Sequence, residues 1–485
     1  MSAFLQLLGF APDADPTVLG VLTDCTGVVP SLRGLKGAPS PADTPLATLA
    51  ATCQGGAVCT KLDGTTRMFA GTGIKLYEAA SSTWSDVSRA ASYTASTTAR
   101  WRFAQQENVS LAANGADTIQ ASVSTGAFSC IAGAPVAKIV ETVGKFVFGL
   151  NTSTNVHGVQ WSALGDYSSW AASIATQAGS DTLEGTPGEI TAGRRFGSAI
   201  VVYKKSAMYL GVNVGPPNIW QFDPIPGDAG AMSQEVVVNI GTPENPKHVF
   251  MGAEDFYVYD GSRPIPIGTN RVKEQVYGQL LQTRFYACAA LHDRKNSRVY
   301  FYYPVVDSVN PSNCVVYNYR TDKWGVDDGP IEAAMDYVAS PVTYDSLGGL
   351  YATYDDFPNL SYDSAFVGST QTFPAIFNTS HVLKTLTGPA GATSLTTGDY
   401  GDDEKSITLT KIRPRFIQAP TTARLTNYFK NNSGDALTPD TTTDLSSDKA
   451  FDVIRDARWH RLQMNFTGDW ELSGFSPRWE KSGSE

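Results

Sequence analysis

Short apolar runs rich in Val, Ile, Tyr and Phe recur along most of the chain, broken by Gly, Asn, Asp or Lys-Ser. RMFAGTGIKLYEAASSTWSDVS (67–88) shows the pattern: two runs flank Gly71-Thr72-Gly73, and a Thr-Trp pair follows a polar gap. ARWRFAQQENVSLAANG (99–115) turns at Gln106–Asn108, and KIVETVGKFVFGLN (138–151) turns at Gly144. FGSAIVVYKKSAMYLGVN (196–213) turns at Lys204–Ser206, and HVFMGAEDFYVYDG (248–261) at Glu254–Asp255. ACAALHDRKNSRVYFYYP (287–304) turns around Lys295, and VTYDSLGGLYATYDD (342–356) around Leu347. β-Branched and aromatic runs punctuated this way predict antiparallel hairpins.

The turn centres at 72, 107, 144, 205, 254, 295 and 347 are separated by 35, 37, 61, 49, 42 and 52 residues. A propeller blade takes roughly 40–50 residues. Several hairpins are trailed by a tryptophan: SSTW (81–84), YSSW (167–170), NIW (218–220) and TDKW (321–324). A large ring at the outer edge of a small sheet fills the gap that widens between radially arranged sheets, and radial repetition limits free edges. The pattern predicts an all-β fold: a β-propeller of about six to eight blades over residues 56–360. A β-sandwich or several small β domains would share the strand periodicity, which does not by itself fix closure. One helix is expected, over Arg271–Thr283, where Val272, Val276 and Leu280 recur at fourfold spacing.

The flanks differ. Residues 1–55 are rich in Pro, Gly, Ala and Thr, as in VVPSLRGLKGAPSPADTP. Repeated Pro forbids helix and central strand, so an extended N-terminal arm is expected, able to run along the propeller, complete a blade or reach a neighbour. Residues 361–404 are expected to be a loop or linker, with TLTGPAGATSLTTGDYGDDEK (385–405) as its clearest part. Alternation returns in SITLTKIRPRF, ARLTNYF, RWHRLQMNF and DWELSGFSPRW, which predicts a C-terminal β-sandwich over 405–485.

The 485 residues carry a formal net charge of −10, and the charge is unevenly placed. Residues 1–404 hold 25 basic and 37 acidic side chains (net −12), and residues 405–485 hold 12 and 10 (net +2). Tight wrapping of nucleic acid by counterion release does not suit an acidic chain, but an acidic wall along which DNA slides does. The six cysteines (Cys25, Cys53, Cys59, Cys130, Cys288, Cys314) match neither a disulfide framework nor a zinc pattern and are expected as free thiols. MSAFLQLLGFAPDADP has no basic leader, and no run approaches the ~20 apolar residues of a span, so neither a signal peptide nor a membrane span is expected.

The search for chemistry yields no catalytic, cofactor-binding or metal-binding residue. Gly71–Gly73 is followed by strand-like IKLY, whereas a phosphate cradle must open a helix. Asp399, Asp402, Asp403 and Glu404 lack the spacing of a calcium loop and read as a solvated turn. Asp327–Asp328 and Asp355–Asp356 are adjacent pairs, and neighbours on a strand point to opposite faces, so neither doublet alone supplies a glycosidase acid/base pair. The Ser-x-Asp-x-Gly-x-Thr-Trp box of sialidase-type propellers is matched by SSTW only in its last two residues, with Ala79 and Ser81 where Asp and Gly belong. His157, His248, His292, His381 and His460 lack ligand spacing and read as structural. GRRFG (193–197) and RWHR (458–461) are small basic spots, either ordinary surface or part of an interface.

Taken in order, FAPDADPTVLGVLTD (10–24), the 67–88 stretch, RWRFAQQENVSLAANG, CIAGAPVAKIVETVGKFVFGLN, VQWSALGDYSSW, GEITAGRRFGSAIVVYKKSAMY, DFYVYDGSRPIPIG and RWHRLQMNFTGDWELSGF resemble a family of short-tailed bacteriophage proteins, the podovirus tail nozzle or tail hub proteins. The resemblance rests on the shared order of these pieces over nearly the whole chain. It implies a non-enzymatic virion structural protein without cofactor, a propeller subunit that forms a homohexamer below the portal and its tail adaptor ring. That ring would close the distal tail, conduct genomic DNA during ejection without sequence-specific binding, and dock tail fibres or spikes. It would be assembled in the bacterial host cytoplasm and act in virus–host interaction. The alternative is a glycan-binding or glycan-degrading propeller used in host recognition.

Overall fold

Six of the seven predicted hairpins are present, each inside a four-stranded antiparallel meander. A computed structural model describes residues 4–306, 308–339, 372–432 and 434–484. The seventh hairpin, centred on 347, and the Asp355–Asp356 doublet lie outside the described residues. The fold is an all-β propeller. Six four-stranded sheets stand free, and a seventh meander, residues 289–328, is continued by further strands into a ten-stranded sheet. The chain divides into two compact units.

The unit of residues 41–182 and 332–386 holds the meanders 56–86, 102–130 and 137–182. In the first, strand Thr66–Gly71 pairs with Leu76–Ala80 across the Gly-Thr-Gly turn. Gly71 is required by a close approach: a Cβ there would lie 2.2 Å from Cδ1 of Trp101. The Trp101 indole donates to the Thr72 carbonyl at 2.8 Å and locks the turn. Phe69 stacks on Phe103 at 5.8 Å and meets Phe128 edge-on at 5.2 Å, joining the first meander to the second through a buried aromatic layer. Trp84, on the outer strand Thr83–Asp86, sits 5.8 Å from Phe377 of the adjacent sheet, the gap-filling role expected of the SSTW ring.

That adjacent sheet corrects two expectations. Its strands Ile331–Val338, Thr372–Asn378 and Leu383–Ala390 are completed by Pro39–Asp43. The propeller therefore does not end at 360, and the N-terminal segment takes the blade-completing option. Pro39 and Pro41 are tolerated because their strand is the sheet's outermost, where a missing N–H faces no partner.

The second unit comprises residues 1–40, 183–331 and 387–485. It contains the meanders 190–225, 237–266 and 289–328. RVYFYY (Arg298–Tyr303) is buried on both faces. Val299, Phe301 and Tyr303 pack with Val315, Tyr317 and Trp324 in the main core. Trp324 lies 5.0 Å from Phe256 of the preceding meander and 4.8 Å from Tyr317, again an outer ring filling the space between sheets. The helix expected over 271–283 forms over Lys273–Gln279, with Val272, Val276 and Leu280 buried. Asp13 of the N-terminal segment caps it, accepting from the backbone N–H groups of Glu274 at 2.6 Å and Gln275 at 3.0 Å.

The flanks correct the sequence reading most. Residues 361–404, expected to be a loop, contain the strands Thr372–Asn378, Leu383–Ala390 and Thr393–Gly401. Gly388 and Gly391 read as loop signals, but Gly388 admits close strand pairing (a Cβ would meet Ser40 Oγ at 2.4 Å) and Gly391 falls in the two-residue link between strands Leu383–Ala390 and Thr393–Gly401. The C-terminal strands do not stand alone over 405–485. One sheet runs Gly9–Phe10, Val21–Thr26, Thr393–Gly401, Trp459–Thr467 and Thr422–Lys430. In the ten-stranded sheet the hairpin Val28–Pro30/Leu35–Gly37 joins strand Lys323–Asp328 to Glu471–Ser484, followed by Lys405–Gln418 and Phe451–Ala457. Their apolar faces meet where Phe416 contacts Phe466 at 5.7 Å and Tyr400 contacts Phe475 at 5.9 Å. The N-terminal arm is thus strand-paired into three sheets rather than extended beside them.

Candidate functional site

Alternation along the strands of the 393–467 sheet sends Cys25, Leu395, Met464, Phe466, Ala423 and Leu425 inward to the core. Their neighbours face outward, and the register aligns them in rows across the sheet. Thr26 lies opposite Ser394, Ser394 opposite Asn465, Asn465 opposite Arg424, and Arg424 opposite Asp444. The row crosses five strands, about 19 Å at the usual strand spacing. Two residues further along, Asp24, Thr396, Gln463 and Thr426 make a second row, and Asp399, Arg461 and Tyr428 a third.

The first row lines an open groove of about 440 Å³, together with Ala392, Thr393, Thr422, Phe466 and Thr467. Arg424 Nε donates to Asp444 Oδ1 at 2.8 Å, so the two formal charges of the lining cancel. Thr422 and Thr467 share a hydroxyl hydrogen bond of 2.6 Å at one end. The side chains of Thr26, Ser394 and Asn465 have no hydrogen-bond partner among the described residues. In the third row Asp399 holds Arg461 at 2.7 Å and Lys430 at 3.0 Å, and Tyr428 donates to Gln463 at 3.3 Å. That end of the face is saturated with internal contacts, and the groove end is not.

The residues weighed from sequence are placed elsewhere or held by structural partners. Gly71–Gly73 is a strand-to-strand turn. Of the acidic cluster, Asp399 is ion-paired, Asp402 accepts from the Glu404 N–H at 2.9 Å, and Asp403 accepts from the Trp459 indole at 2.8 Å. Asp327 and Asp328 end the strand Lys323–Asp328, with Asp327 buried and Asp328 exposed. Burial pushes the Asp327 carboxyl up to about 7. His248 is buried between the Tyr203 hydroxyl (2.6 Å) and the Arg195 carbonyl (3.0 Å), and burial holds it down at about 4. His292, 3.2 Å from the Tyr319 hydroxyl, is likewise lowered to about 4 by burial. His381 contacts Glu332 at 2.6 Å, and His460 meets the Ile407 carbonyl at 3.0 Å. His157 stands on the strand Asn155–Trp161. In GRRFG, Arg194 donates to the carbonyls of Val237 and Gln234, and Arg195 to that of Gly197. In RWHR, Arg461 pairs with Asp399 and His460 is buried.

All six cysteines are free thiols, five buried and Cys130 exposed. The Gln120 amide at 3.3 Å and the Arg89 guanidinium at 3.1 Å hold the Cys130 thiol below its usual range. No helix among the described residues is long and apolar enough to cross a membrane.

No family model and no curated protein matches the chain. Among solved structures it is similar to the computationally designed Ika8 protein, at 11% identity and a TM-score of 0.38, over 72% of this chain and 99% of that one. It is similar also to YCF48 bound to D1 peptide, at 13% identity and a TM-score of 0.35, over 62% and 86% of the two chains. A third likeness is to the mitotic checkpoint complex, at 8% identity and a TM-score of 0.38, over 72% and 92%. At those scores the likenesses carry no argument about function. The strand order carries the fold.

Proposed function

We propose that this chain is a non-enzymatic structural subunit of a short bacteriophage tail, the distal nozzle or hub that closes the DNA channel, conducts DNA during ejection and docks fibres or spikes. The observation that supports it best is the way both ends of the chain are fastened. Pro39–Asp43 completes a blade, and the hairpin 28–37 joins a propeller meander to the C-terminal strand Glu471–Ser484. That last strand pairs with Lys405–Gln418 along almost its whole length. Pulling the C-terminal end free means shearing a long antiparallel ladder, and the N-terminal end is held by several short pairings, which suits a part that resists pressure during ejection. The net charge of −12 over residues 1–404 suits a surface past which a DNA backbone slides.

In this reading the subunits form a homohexameric ring at the distal end of the tail, with the adaptor ring on its portal side, assembled in the bacterial cytoplasm and carried in the virion. The genes beside its own give a first test: portal and adaptor genes are expected there. Electron microscopy of the purified chain gives the second, with a closed ring expected. A chain that stays monomeric at every concentration and sits among unrelated genes would contradict the proposal.

A further inference from the structure

We infer that the outer face of the 393–467 sheet is a binding site for a neutral carbohydrate, centred on the transverse row Thr26, Ser394, Asn465, Arg424 and Asp444. Four strands and the segment carrying Asp444 contribute one residue each, and the groove above them holds about 440 Å³, within the usual range for small-ligand sites. Two hydroxyls and a carboxamide in that row have no partner among the described residues, so donors and acceptors stand side by side and open to solvent. Arg424 and Asp444 neutralise one another through a single bond from Nε, which leaves the two guanidinium amino groups and the second carboxylate oxygen for a ligand. Vicinal hydroxyls, which both donate and accept, match such a pair.

Other ligand classes fit the same row less well. The lining carries no net formal charge, so neither a phosphate chain nor a multivalent cation gains from it. Its one aromatic residue, Phe466, is 1% exposed, so bases have no ring to stack on. An extended peptide pairs with a sheet edge, whereas this row lies on a face and offers no deep apolar pocket for side chains. A neutral polyhydroxylated ligand satisfies every group the row presents. The site lies within one folded unit, and its test reads binding by the chain itself, separately from ring formation.

The test is a glycan array carrying neutral and acidic oligosaccharides, probed with the full-length chain and with Asn465→Ala, Ser394→Ala and Arg424→Ala. All three residues lie on the surface, and unchanged thermal unfolding of each variant shows that its fold is retained. Retention on neutral oligosaccharides is expected, weakened about fivefold to tenfold by each substitution, the effect of losing one hydrogen-bonding group. Leu62→Ser, at an exposed hairpin tip in the other unit, should change nothing. No retention on any neutral glycan, retention confined to acidic glycans, or retention indifferent to all three substitutions would overturn the inference.

Discussion

Replacing Asp327 with Asn should stabilise the protein at pH 8 and leave it nearly unchanged at pH 4. Asp327 sits opposite Cys314 on a face that also carries Asp293, Arg298, Tyr300 and Tyr302, all buried. Burial raises its carboxyl to about 7, the Asp328 carboxylate adds to the shift, and the Asp328 N–H opposes it. Between the ordinary value of 3.8 and about 7 the folded chain keeps this proton and the unfolded chain releases it. Stability therefore falls as pH rises through that window, by about 1.36 kcal/mol per pH unit, and levels off above it. The full window gives a ceiling of about 4 kcal/mol, which Asn, neutral at every pH, does not lose. Urea unfolding followed by tryptophan fluorescence from pH 4 to pH 8 measures the difference between the two proteins. A difference that stays flat with pH, or a variant less stable at pH 8, would refute the burial argument.

Four further outcomes follow from the same contacts. His248, held near 4 by burial, should cost the fold about 1.36 kcal/mol per pH unit on acidification from 6.5 towards 4, because the unfolded chain takes up the proton first; His248→Gln should flatten that part of the stability profile. Glu332→Ala removes the acceptor for His381 at 2.6 Å and for the Cys53 N–H at 2.9 Å, and should lower stability by about 2–4 kcal/mol in chemical denaturation, with Glu332→Gln milder. Titration of the native protein with a thiol reagent should label Cys130 quickly and the other five only on unfolding. Gly71→Ala should cost about 1–3 kcal/mol by driving Trp101 off the turn, seen as a lower melting temperature.

Hairpins were legible from sequence because their turns are local, but their place in the blade was not. The turns at 107, 144 and 295 join first and second strands, whereas those at 72, 205 and 254 join second and third. Mixing the two classes added to the unevenness, stretching the interval after Gly144 to 61 residues. The turn at Gly197, between Ile190–Phe196 and Ala199–Lys204, restores a first-to-second spacing of 53 residues from Gly144. The strands of 372–401 were hidden by Gly and Pro that lie within paired strands, Pro374 and Pro389 on strands and Gly388 and Gly398 at close backbone approaches, rather than in loops. Several N-terminal strands were hidden because partners such as Phe475 for Leu5 and Leu395 for Cys25 lie hundreds of residues away. The groove is the extreme case: Thr26, Ser394, Arg424, Asp444 and Asn465 become neighbours only through strand register. The alternation in ARLTNYF and RLQMNF marks which residues share a face, but no local signal says which strand lies beside which.

The mechanical account is tested most directly by imaging phage particles produced by the source host after labelling with an antibody against this chain. The account predicts label confined to the tail end distal to the capsid, over a ring of six copies. Label absent from particles, while the purified chain stays a dispersed monomer, would contradict it.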